Sequence, residues 1–145
     1  MLHPETPPAA RALGLAGLVP FWVAALAVVF AEGEVEAAAL RAQVAYGAVI
    51  LTFLGGVHWG LALRAPHETS WARLGWGVTP SLLGWIALLM APRPALALLA
   101  ASLAAALFVD LRSLGAGVSA AWYLPLRRLL TAAAVASIAL SLLVA

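Results

Sequence analysis

The chain predicts an all-α fold, a polytopic membrane protein built as a five-transmembrane-helix bundle with its N-terminus cytoplasmic, and two observations carry that expectation. Hydrophobic residues make up 65% of its 145 residues and charged ones 10%, against about 45–50% and about 25% in a soluble domain. A soluble core of this size could not hide so much apolar surface, so the solvent is read as lipid. In addition, long apolar runs recur five times, over 12–31, 42–63, 74–91, 95–111 and 129–145. At about 1.5 Å per residue, each approaches or exceeds what a hydrocarbon layer of about 30 Å requires. The composition also excludes some chemistry. With no cysteine there is no disulfide framework, thiolate nucleophile or cysteine metal site. The sequence pI is near 9.9, but a net charge of +2 spread over loops is not a basic patch, and nucleic acid is set aside as a partner.

Residues 1–10 are polar and proline-rich and read as a disordered lead to a single membrane domain over 11–145. The first span, 12–31, follows Arg11; Pro20 predicts a kink, and Gly14 and Gly17 allow close contact near its start. Val29-Phe30-Ala31 looks like a signal cleavage site, but the apolar part exceeds the ~7–15 residues of a signal-peptide core, so a retained helix is expected. Glu32, Glu34 and Glu36 form an acidic loop, read as solvated because no Asn, Asp or His joins them to hold a cation.

The second span, 42–63, is the one around which the rest is organised. Its only ionisable groups are Tyr46 and His58. Gly56 and Gly60 form a G-x-x-x-G stripe, while Gly47, Leu51, Leu54, Gly55 and His58 fall on roughly the opposite side at 100° per residue. Both faces are therefore expected to pack against protein, with Gly55, Gly56 and Gly60 as close-approach positions, which places this helix in the middle of the bundle.

A short loop containing Pro66 and Trp71, the latter suited to the headgroup layer, leads into the third span, 74–91. Here Pro80 predicts a kink, with Thr79 and Ser81 able to bond the backbone groups it frees. Pro92-Arg93-Pro94 reads as a tight turn. The fourth span, 95–111, carries the small-residue ladder Ala97, Ala101, Ala105 and ends with Asp110 in its last turn. Residues 113–126 hold too much Gly and Ser for a span, and Trp122 and Tyr123 suit an interfacial or re-entrant segment. Arg127-Arg128 opens the last span, 129–145, with the ladder Ala133, Ser137, Ser141. With five spans, Arg11, Arg64, Arg73, Arg112, Arg127 and Arg128 share one side and Arg41 and Arg93 the other. Six against two puts the N-terminus in the cytoplasm.

This topology brings scattered polar residues to one depth, giving a candidate cluster of His58, Asp110, Arg127 and Arg128. Asp110 sits at the negative C-terminal end of its helix and the arginines at the positive N-terminal end of theirs, so each opposes its own helix dipole. A bond between Asp110 and one of Arg127 or Arg128 offsets that penalty, leaving the other arginine, with Arg112, among headgroups. His58 has three readings: an interhelical hydrogen bond, a proton or ligand role, or a metal ligand. Haem fares poorly, because His3 and His67 lie outside the spans, and there is no H-E-x-x-H for a zinc protease. Packing is the default role for Ser81, Ser137 and Ser141. No cofactor or metal is expected.

Tyr46-Gly47, the block Leu54-Gly55-Gly56-Val57-His58-Trp59-Gly60, Pro80-Ser81, the late Asp110, and Trp122-Tyr123-Leu124 through Arg128-Leu129-Leu130-Thr131 resemble the transmembrane protein 69 family. That resemblance implies a small multi-pass protein of proteobacterial inner membranes or of mitochondria, and no established activity. The reading that follows is a non-enzymatic component of a bacterial inner membrane, surrounded by lipid and associating with other membrane proteins or a second copy. Two alternatives remain open. One is a small transporter or proton-conducting protein using His58 and Asp110; the other is a binder of a lipid-soluble molecule such as a quinone, with Tyr46, Trp59, Trp85 and His58 lining the site.

Overall fold

The computed structural model describes residues 6–64, 70–113 and 121–144, and every regular element among them is a helix. In chain order these are α1 (Pro8–Ala16), α2 (Val19–Phe30), α3 (Glu34–Arg64), α4 (Trp71–Leu88), α5 (Pro92–Ser113) and α6 (Tyr123–Val144). Together α1 and α2 form the first expected span, so the architecture is a five-membered helical bundle with one broken member. Four members are long and apolar enough to cross a membrane. The shortest, α4, is not among them; it has 18 residues and carries Arg73 and Pro80.

The break in the first member falls where proline chemistry puts it. Pro20 occupies the second position of α2, where its missing N–H has no intrahelical acceptor to lose. The Gly17 carbonyl at the break accepts from the Tyr46 hydroxyl of α3 at 3.0 Å. Elsewhere the helices overrun the expected limits. The first begins at Pro8, inside the stretch read as a disordered lead. Helix α3 reaches back to Glu34, so Glu34 and Glu36 lie in its first turn, where the macrodipole favours carboxylates. Its 31 residues span about 46 Å. Pro92 and Pro94 do not form a turn but start α5, because the N–H groups of a first helical turn have no partner to forfeit. Finally, α6 starts at Tyr123 rather than 129, taking the arginine pair into its first two turns. Residues 114–120 of the expected interfacial segment lie outside the described residues.

The third helix is central: it packs against α2, α4 and α5, while α6 packs against α5 and α2. Leu51 of α3, Leu96 and Leu99 of α5 and Ile138 of α6 are fully buried in this core. Phe21 of α2 meets Tyr46 edge-on, with ring centroids 5.1 Å apart. The buried stripe of α5 is Ala95, Leu99, Ser102, Ala106 and Asp110, whereas the expected ladder of Ala97, Ala101 and Ala105 faces outward.

The glycines of α3 need a correction. A Cβ at Gly56 or Gly60 would meet nothing within 4 Å, so the G-x-x-x-G stripe faces out of the bundle. Close approach runs instead through Gly55, where a Cβ would overlap the Gly77 carbonyl oxygen of α4, and through Gly84, where it would lie 3.1 Å from the Ala48 carbonyl oxygen. Ala48 and Gly55 are seven residues apart, as are Gly77 and Gly84, so two antiparallel helices touch backbone to backbone twice, two turns apart. Gly47 lies against Leu99 and Phe21. Thr79 Oγ1, beside Pro80, donates to the Gly75 carbonyl at 2.9 Å.

Candidate functional site

Three consecutive facts of helix geometry build one polar cluster. His58 lies nearly two turns before the end of α3, Asp110 about one turn before the end of α5, and Arg127 in the second turn of α6. With α4 returning between them, α3 and α5 run the same way and α6 runs back, which brings these ends to the same level. Asp110 Oδ1 lies 2.9 Å from His58 Nε2, and Asp110 Oδ2 accepts from Arg127 Nε at 3.0 Å. Because a carboxylate offers only acceptors, the first contact places a proton on Nε2 of the imidazole. Arg127 Nη1 also donates to Thr131 Oγ1, one turn along the same helix.

All the members are buried. His58 and Asp110 are each 2% exposed and Arg127 5%, so the ion pair works without solvent screening. Its desolvation is costly, and what offsets the cost is geometry, with each carboxylate oxygen taken by a different helix. The cluster therefore ties α3, α5 and α6 at one end of the bundle. It sums to zero charge when the imidazole is neutral. One donor is left over: Arg127 Nη2 has no acceptor among the described residues.

The other sequence candidates lie elsewhere. Arg128, one residue past Arg127, is turned about 100° away and exposed, outside the cluster. Arg112 is also exposed and lies over the Phe108 ring, 4.5 Å from its centroid. Tyr46, Trp59 and Trp85 do not share a site. Tyr46 precedes His58 by about 18 Å of helix and holds the Gly17 carbonyl. Trp59 is 43% exposed, its indole N–H donating to the Leu74 carbonyl at 3.2 Å, and Trp85 is 59% exposed. The physical reason is the 100° step that separates Trp59 from His58, which carries the indole out of the core and over α4.

Three buried polar residues, Gln43, Ser102 and Thr131, escaped the sequence reading. Thr131 could have been found from its i+4 spacing to Arg127. Gln43 stands near the start of the central apolar run; fully buried, it donates from Nε2 to the Phe21 carbonyl at 3.4 Å, and its Oε1 has no partner among the described residues. Among the described residues there is no group of three or more His, Asp or Glu arranged to hold a metal ion.

Comparison with known proteins agrees with this picture of a compact helical membrane protein. The chain is 41% identical over 143 residues to Transmembrane protein 69 of Xenopus tropicalis, covering 96% of this chain and 55% of that relative. Against Transmembrane protein 69 of Mus musculus it is 35% identical over 91 residues, covering 61% of this chain and 37% of the relative. The chain thus spans about half the length, or less, of these curated relatives. No solved structure matches. A family model described as "Protein of unknown function (DUF3429)" matches residues 6–143, nearly the whole of the membrane bundle and every residue of the polar cluster, and the chain belongs to that family.

Proposed function

We propose that the protein is a non-enzymatic component of a bacterial inner membrane, whose buried charges hold helices together rather than move protons, and which acts by associating with other membrane proteins or a second copy. The observation that supports this reading is that both oxygens of Asp110 are engaged, one by His58 and the other by Arg127. A relay needs a further acceptor in each direction. From the cluster toward Gln43, the buried residues of α3 are Gly55, Leu54, Leu51, Ala48, Gly47 and Val44. The buried hydroxyls of Ser137 and Ser141 on α6 are turned back onto the carbonyls of Ala134 and Ser137. The next buried side-chain amide on α3, Gln43, lies about 22 Å along the helix from His58. For association, the outward Gly56 and Gly60 stripe offers a surface that a helix of another chain can approach closely. Membrane embedding is supported by the apolar helices and the transmembrane relatives, and the arginine distribution supports the orientation.

Two measurements test the reading. Reconstituted in liposomes with an internal pH dye and an imposed gradient, the protein is expected to show no proton flux above empty vesicles. A flux that His58→Gln abolishes would overturn the structural role of the cluster. The chain has no cysteine, so Gly60→Cys introduces a unique thiol. It is expected to cross-link in native membranes to a second copy or another membrane protein, whereas a cysteine at Ala136, exposed on α6, is not. Equal labelling at both positions would remove the stripe as a contact surface.

A further inference from the structure

A cavity of about 350 Å³ lies between α1, α2, α3 and α6, with Leu103 of α5 among its walls. Phe21, Ile50, Leu54 and Leu103 make most of it apolar. Polar groups gather on the α6 side alone, where Tyr123, Arg127 and Thr131 line it. Arg127 is 5% exposed, and its Nη2 has no acceptor among the described residues, while the Tyr123 hydroxyl beside it also interacts with the guanidinium. A buried donor without a partner costs free energy that an occupant able to accept a hydrogen bond recovers. We propose that this cavity binds a neutral, carbonyl-bearing amphiphile from the bilayer, its oxygen accepting from Arg127 Nη2 and its apolar body filling the space beside Phe21, Ile50 and Leu103.

Charge and size set the ligand class. Asp110 already neutralises Arg127, so the site carries no net charge with His58 neutral. An anion would bring an uncompensated charge against mostly apolar walls, whereas a carbonyl adds only an acceptor. At roughly 30 Å³ per water-sized group, the cavity takes on the order of ten to twelve heavy atoms, enough for a substituted ring or one end of an acyl chain. Access is by way of α1, which has no buried residue and rests on α6 through Gly14, where a Cβ would stand 3.1 Å from Leu130. The shared chemistry, a carbonyl on an apolar body, is found in membrane quinones and in the ester groups of bilayer lipids.

The full chain in nanodiscs of a diether phosphatidylcholine, which has no ester carbonyl, tests the proposal with a decyl-substituted benzoquinone carrying 13C at its carbonyls. Expected are saturable binding above empty discs, near one per chain, and a carbonyl stretch shifted to lower frequency than in lipid alone. Arg127→Lys keeps a cation opposite Asp110 but has no Nη2, and should weaken binding at least about tenfold. Ala134→Met fills the cavity from a position outside the polar cluster, and should abolish binding while the protein still melts cooperatively; this keeps the test open if Arg127→Lys fails to fold. Replacing the diether lipid with its ester counterpart identifies the source. Competition that lowers quinone binding names the bilayer ester as occupant, and unchanged binding names the quinone. No saturable binding of the probe in diether discs, binding unaltered by Ala134→Met, or binding of decanoate in preference to the quinone would each overturn the proposal.

Discussion

Asp110→Asn isolates the electrostatic part of the cluster from its hydrogen bonds. The amide keeps one acceptor and gains a donor. With its oxygen toward Arg127 Nε, its NH2 faces His58, and the imidazole can answer by carrying its proton on Nδ1 and accepting at Nε2. Hydrogen bonding to both neighbours is thereby retained, and what disappears is the charge that balances a guanidinium whose side chain is only 6% exposed. An uncompensated buried charge of this kind costs about 3–5 kcal/mol. Adding Arg127→Gln removes the stranded charge and leaves neutral groups able to pair, for a total cost of about 1–2 kcal/mol. The double variant should therefore be more stable than Asp110→Asn alone by about 2 kcal/mol, a coupling well beyond the ~0.5 kcal/mol scatter of independent sites. Reversible unfolding by SDS in mixed micelles reads all the variants on one scale. Strict additivity, with the double variant losing the sum of both single costs, would refute the buried ion pair as a source of stability.

Three further outcomes follow from the packing and the topology. Gly55→Ala drives a methyl into the Gly77 carbonyl and should cost about 1–3 kcal/mol in the same assay, while Gly56→Ala, open to the outside, should be neutral or gain up to about 1 kcal/mol of helix propensity; equal effects would mean that α3 and α4 do not meet there. Tyr46→Phe removes the bond to the Gly17 carbonyl and should cost about 1 kcal/mol while speeding amide exchange in α1 and the start of α2, with α5 unaffected; faster exchange spread evenly over the bundle would contradict a local role. A reporter fused after Val144 should be inactive in the cytoplasm if all five members cross, and cytoplasmic activity would mean that α4, which carries Arg73 and Pro80, does not span.

Hydropathy alone made the bundle legible, because unbroken apolar runs of this length satisfy their backbone in lipid as helices, whereas barrel strands are short and alternate. A meeting of Asp110 with one of Arg127 and Arg128 was legible too, since two charges opposed to their own helix dipoles at one depth favour each other; which arginine was not. Which glycines touch was not. Periodicity sorts Gly55 and Gly56 onto faces about 100° apart but cannot say which face has a neighbour. That depended on α4 supplying Gly77 and Gly84 at the spacing of Ala48 and Gly55, a match visible only when the two helices are set side by side. Helix ends were the other loss. Pro92 and Pro94 break a helix interior but suit a first turn, and Glu34 and Glu36 look like a solvated loop until the turn above them is known to be helical. The cavity beside Arg127 had no linear signature at all, being assembled from five helices.

The Asp110–Arg127 bond joins consecutive helices, and this bears on how the chain enters the bilayer during synthesis. An Asp or an Arg offered singly to the hydrocarbon centre costs about 2.5–3.5 kcal/mol on insertion scales, less near a helix end. Partitioning α5 and α6 together as a hairpin lets the two charges cancel before either helix docks on the rest of the protein. Helix α3, already in the membrane, then brings His58 to the free oxygen of Asp110. Inserted in that order, the hairpin would enter with Asp110 and Arg127 already paired, leaving Arg112 and Arg128 for the headgroup layer. A chain cut between α5 and α6 would have to insert each charge uncovered.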